Sequence, residues 1–150
     1  KAMLEAEMED LFNSIFVHRH RDSDKLIRSR CLDALGRVVI LYKPKFLANQ
    51  YLKYLGWGLN DKLSGDVRAA ALDAVSEIYE SDSTKELDGF TARFKERMIA
   101  MRFDKDTYVA ARAMKVCTIL CKHSREDVTG EQMLDLYAML TETDEELRTA

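Results

Sequence analysis

Asn49, Lys53 and Trp57 stand four residues apart in a stretch that reads as helix, so an amide, an ammonium and the chain's only indole share one stripe. Leu47, Tyr51, Tyr54, Leu55 and Leu59 fall on the opposite, apolar face. Such a stripe can bind a partner: the indole is a flat apolar wall, the amide hydrogen-bonds, and the ammonium offsets a carboxylate or phosphate. Gly56 and Gly58 leave a second reading open, in which the helix ends and the indole turns under the next element.

Three other clusters carry chemistry. His18-Arg19-His20-Arg21 puts positive charge at a helix end, where it either offsets the helix dipole or binds an anion, with Arg21 able to grip a carboxylate in two places. Arg93 lies on the flank of a helix whose apolar face is Leu87, Phe90, Phe94, Met98 and Met101, which leaves Arg93 free to bind and reads Phe94 as core. Cys117, Cys121 and His123 have helical spacing for a metal, but Val116, Ile119 and Leu120 surround them, so they read as core thiols and no metal is expected. The methionines at 98, 101 and 114 read as gap-filling core residues. No phosphate-cradling glycine loop, nucleophile elbow or zincin motif occurs, and the chain is expected to be no enzyme and to need no cofactor.

The elements that must position these residues are helices. One proline and six glycines leave few strand and turn signals, and apolar positions recur at three and four. Helices are expected near 3–18, 23–42, 45–59, 65–80, 84–102, 106–122 and 130–140, with a short one from about 143. Pro44 suits a first turn, Asp24, Ser64 and Asp106 can cap, and Ser81-Asp82-Ser83 makes a polar connection. Arg28, Leu32, Asp33 and Ala34 recur forty residues on as Arg68, Leu72, Asp73 and Ala74; a weaker third copy aligns Val109, Met114 and Cys117 with Val67, Leu72 and Val75, without the arginine. That period predicts an all-α superhelix, a HEAT- or armadillo-like solenoid of about three to four helix pairs, rather than an irregular bundle. Its first helices would share one surface, bringing 18–21, the Trp57 stripe and Arg93 side by side.

Charge is segregated. Residues 17–62 hold ten lysines or arginines against four acids, while 126–150 hold eight acids against Arg148. A basic middle fits either a solvated helix surface or an anionic partner, with Lys43, Lys45 and Lys53 as candidate DNA contacts. No apolar run is long enough for a membrane span, and the three cysteines, Cys31, Cys117 and Cys121, fit reduced, buried thiols. Both ends are expected to expose surfaces that neighbouring repeats cover.

Phe16-Val17-His18-Arg19-His20-Arg21-Asp22, Ile27-Arg28, Phe46-Leu47, the string from Tyr51 to Trp57, Asp61-Lys62, Val67-Arg68 and the string from Phe90 to Arg97 resemble the stromalin conservative domain of the stromalin subunits of cohesin. The likeness covers 14–105, and 106–150 continues the helical repeats of a larger HEAT-repeat protein. It implies a nuclear, chromosomal, non-catalytic subunit in sister chromatid cohesion that binds the kleisin. It also implies a surface for short aromatic motifs of regulators such as shugoshin and insulator proteins, with contacts to DNA. The family positions of that surface fall on His20, Arg21, Asn49, Lys53, Trp57, Arg93 and Phe94. His20 stands where tyrosine is common and gains a titratable ring; Asn49 stands where aspartate is common and loses a charge.

Overall fold

The capping signal before residue 25 works as the sequence suggests: Asp24 Oδ1 accepts the Leu26 amide at 2.8 Å and starts a 17-residue helix. The computed structural model describes residues 1–81 and 85–123, together with positions 130, 131, 134 and 138. The short helix expected from about 143 lies outside the described residues, as does most of the segment 130–140. The elements are α1 (Ala2–Leu11), a π-helical turn (Phe12–Phe16), α2 (Val17–Arg19), α3 (Lys25–Leu41), α4 (Lys43–Phe46), α5 (Asn49–Gly58), α6 (Gly65–Glu80), α7 (Asp88–Ala100), a 3-10 turn (Met101–Phe103) and α8 (Thr107–His123). No strand occurs among the described residues.

The helices form two layers. Second helices α3, α6 and α8 pack in that order, while α5 packs on α7 and each leans on its own second helix, α5 on α6 and α7 on α8. This is a helical repeat stack of the predicted all-α class. The middle helix α6 is buried along most of its length, at Val67, Ala71, Leu72, Val75 and Ile78. Small residues set the approach of the second helices: a methyl group at Gly36 of α3 would stand 2.9 Å from the Ala74 Cβ of α6.

The repeated arginines are rungs between repeats. Arg28 Nε donates to Asp61 Oδ2 at 2.9 Å, and its Nη1 reaches the carbonyls of Asp22 and Ser23. Arg68 does the same one repeat later, with Nε and Nη2 to the Asp104 carboxylate at 2.8 and 3.0 Å and Nη1 to the Asp61 carbonyl at 2.8 Å. Each arginine is the fourth residue of its helix. It ties the loop within its own pair to the loop of the next pair through a bidentate charged bond. The fourth position of α8 is Ala110, where the ladder stops.

Several local expectations change. The helix expected over 45–59 is broken at Leu47 and Ala48, because Phe46 is anchored in the core against Tyr51 and Ala48 is extended before α5 begins. The one expected from 84 begins at Asp88. Ser64 precedes α6 without a side-chain capping bond, and Asp106 turns its carboxylate to Arg68 instead. Met98 and Met101 are core, but Met114 is only half-buried, because Ala113 and Val116 take the inward positions of α8. The three thiols are unbridged; Cys117 is buried, and Cys31 and Cys121 are half-buried rather than core. Burial pushes the Cys117 thiol up to about 11, so it stays protonated. No helix of the described residues is long and apolar enough to cross a membrane.

Candidate functional site

Helix α5 turns Tyr51, Leu52 and Leu55 inward, and that orientation decides the tryptophan: Trp57 is 38% exposed. The glycines on either side face the core, Gly56 against the tip of the Phe94 ring and Gly58 against Leu32. They let neighbouring helices press close while the indole stays on the surface. Two cations attend it, the Arg21 guanidinium 5.7 Å and the Lys53 ammonium 5.5 Å from the ring centroid. Such contacts are worth about 0.5–1 kcal/mol at exposed sites.

Aromatic rings fix the indole from below. Tyr54 meets it edge-on at 5.1 Å and meets His20 edge-on at 4.8 Å. His20 stacks on Phe16 at 5.7 Å and lies 6.1 Å from Trp57. Phe12 and Phe16 carry the cluster back under α1, and Phe12 reaches Tyr51. Of the groups expected side by side (18–21, the Trp57 stripe and Arg93), His20, Arg21 and Lys53 meet at Trp57. Tyr54, assigned to the buried face, is half-buried and touches three members of the site. Its spacing of three residues from Trp57 was the available signal.

The α7 side completes the surface. Asn49 lies over Gly89, where an added methyl group would meet its amide nitrogen at 3.0 Å. Phe94 is buried, as its place on the apolar face predicts, and the exposed Arg93 sets its guanidinium 5.0 Å from that ring. Arg97 anchors this side by donating from Nε and Nη2 to the Leu59 carbonyl at 3.1 and 2.9 Å. The contacts from Asn49 to Gly89, Gly56 to Phe94 and Leu59 to Arg97 advance in step, so α5 and α7 run parallel. On the other side of Trp57 a cleft of about 520 Å³ is lined by His20, Arg21, Tyr54, Lys62 and Leu63, with the Arg28–Asp61 pair also contributing. Leu63 is 87% exposed there and carries no signal in the sequence pattern, while Lys62 enters only through the string Asp61-Lys62 of the family resemblance.

The lysines separate. Lys43 donates to the Ser81 carbonyl at the end of α6, and Lys45 is paired with Glu9 of α1 at 2.6 Å. Of the three, Lys53 stands with the aromatic site.

Burial pulls the pKa of His20 below the ordinary histidine value, and the Arg21 charge adds to that effect. The ring is thus neutral near pH 7. Because the unfolded chain takes up the proton first, stability from this site is full above about pH 6.5 and falls as pH drops through that value toward the folded pKa. The expected result is that His20→Tyr flattens the fall in melting temperature between pH 7.5 and 5.5. An unchanged slope in the variant would assign the dependence elsewhere.

Comparison with known proteins places these residues in context. The model of the stromalin conservative domain matches residues 21–95. Sister-chromatid cohesion protein 3 of Arabidopsis thaliana is 40% identical over 148 residues, covering 98% of this chain and 13% of that protein. Cohesin subunit SA-1 of Xenopus laevis is 36% identical and cohesin subunit SA-3 of Homo sapiens 35%, each over 138 residues, 91% of this chain and 11% of the relative. The chain spans only 11–13% of the length of these relatives.

Proposed function

The chain belongs to the stromalin conservative domain family of cohesin subunits, and from that membership we propose that it is a non-catalytic docking segment of a nuclear, chromosomal cohesin subunit. Its first-helix surface receives the kleisin and short aromatic motifs of chromatin regulators. The observation that carries this reading is the half-exposed indole of Trp57 with Arg21 and Lys53 both over it.

The arrangement favours a peptide combining an aromatic ring with a carboxylate. Carboxylates draw the guanidinium and ammonium off the indole, and the vacated face stacks on the incoming ring. Arg93, exposed on α7, offers a further charge to the same ligand. Neither half suffices alone: an acidic peptide without the ring pairs only with exposed charges that salt screens, and a ring without acids must displace the cations unaided.

The test is titration of an aromatic, acidic peptide against the protein and its Trp57→Ala variant, with and without kleisin. Aromatic anchors at the centre of interfaces cost 2 kcal/mol or more when truncated, so the variant is expected to bind about thirtyfold more weakly or worse. Equal affinity with unchanged helical circular dichroism would reject the site.

A further inference from the structure

The cleft beside Trp57 holds a side chain whose charge can change near neutral pH. His20 is half-buried on its wall, with its ring stacked on Phe16, edge-on to Tyr54 and 6.1 Å from the indole. Among the described residues neither ring nitrogen is hydrogen-bonded, which leaves both to a ligand.

The charges around this ring are unbalanced. Arg21 follows it in the chain, α5 brings Lys53 over the same indole, and the loop before α6 brings Lys62 to the cleft. The two acids of the cleft are already engaged. Asp22 accepts Arg19 and the Asp24 amide, while Asp61 accepts Arg28 and the amides of Leu63 and Ser64. Burial, and after it the Arg21 charge, disfavours the imidazolium, so the free site keeps the ring neutral near pH 7. An acidic ligand reverses the balance. Its carboxylate, drawn in by Arg21 and Lys53, offsets their charge and gives a protonated ring its acceptor, and Phe16 stacked on that ring favours the cation too.

We propose that His20 couples docking to proton uptake: a proton from solvent adds to a ring nitrogen as the ligand's carboxylate arrives, and the site holds acidic aromatic peptides more tightly as pH falls from 8 to 6. The inference rests on the docking reading of Trp57 and adds to it the group that tunes affinity. By linkage, a ligand that favours the protonated ring is itself favoured by protons to the same extent.

The experiment is calorimetric titration of the full-length protein with a phenylalanine peptide flanked by aspartates, acetylated and amidated so that its termini do not titrate. The aspartates stay ionised at pH 6.0 and do not produce the change. An opposite charge within about 4–6 Å favours a protonated ring by tenfold or more. Affinity is therefore expected to tighten about fivefold or more from pH 8.0 to 6.0, with proton uptake read as a dependence of the heat on the buffer. His20→Tyr and His20→Gln should each bind equally at the two pH values, whereas His18→Gln, at an exposed position of the same helix, should keep the wild-type slope. Binding that depends on Trp57 but is flat with pH, or whose slope survives in a folded His20 variant, overturns this inference and leaves the docking site standing. Binding that Trp57→Ala leaves unchanged removes both.

Discussion

Arg68→Met is expected to destabilise the fold by about 3–5 kcal/mol, the cost of leaving a buried carboxylate without its cation. Asp104 has a side-chain exposure of 7%, and water cannot take the place of Arg68 without opening the loop. The lost guanidinium also abandons the Asp61 carbonyl and the Asp106 carboxylate, so two successive loops lose a shared tether. At about 2–4 °C per kcal/mol for a chain of this size, the melting temperature should fall by roughly 6–20 °C. Arg68→Lys should fall between, because an ammonium cannot serve two carboxylates and a carbonyl in one plane. A loss under about 1 kcal/mol would mean that the rung adds no stability.

The pair also predicts acid behaviour. Desolvation pushes the Asp104 pKa up, but the hydrogen bond from Arg68, the Asp106 amide and the charges of Arg68 and Arg97 outweigh it and hold the carboxyl below its usual value. Stability from Asp104 is therefore present above about pH 4 and lost as pH falls through the folded pKa. In Arg68→Met that loss should start at higher pH. A double variant with Asp104→Leu should recover part of the deficit, because two apolar side chains carry no desolvation penalty.

Gly56→Ala should be the next most damaging change. The added methyl group overlaps the Phe94 ring, which is buried and packed on Phe90 with centroids 4.8 Å apart. Overpacking of this kind costs about 1–3 kcal/mol. It should also act on function, because Trp57 follows Gly56 and Arg93 sits over Phe94: pushing α5 from α7 changes the spacing between the indole and the arginine proposed to share its ligand. Peptide affinity and melting temperature should fall together, and Phe94→Leu in the same chain should restore part of both. Loss of stability with full peptide affinity would show that the α5–α7 spacing does not position the site.

Much of this was legible in the chain. The forty-residue recurrence of Arg28 and Arg68 marked equivalent helices, and the i, i+4 spacing placed Lys53 beside Trp57 because a helix turns by a fixed angle per residue. The arginines' partners were not legible. Asp61 and Asp104 lie in the loops before α6 and α8, 43 residues apart, so a fixed forty-residue period passes over them. Asp33 and Asp73 did match at the period, yet Asp73 pairs with Arg112 of α8 whereas Asp33 lies exposed on α3. The fate of Trp57 depended on which faces of Gly56 and Gly58 meet Phe94 and Leu32, a tertiary fact that helical periodicity leaves undetermined. Tyr54 was misread for a related reason, since a wheel divides residues into two faces and this one lies on the border.

The two arginine rungs lie along one edge of the stack, at the loops within each pair, and they are bidentate and buried. Lys43 and Lys45, by contrast, make single-point contacts to Ser81 and Glu9 in partly exposed positions. Mechanically the two edges should differ: the arginine edge is expected to hold its length while the lysine contacts yield, which would bend the stack about a line through its rungs. Tension along the chain would be taken up as a change of curvature before any repeat separates, and added salt would soften the bend without loosening the rungs.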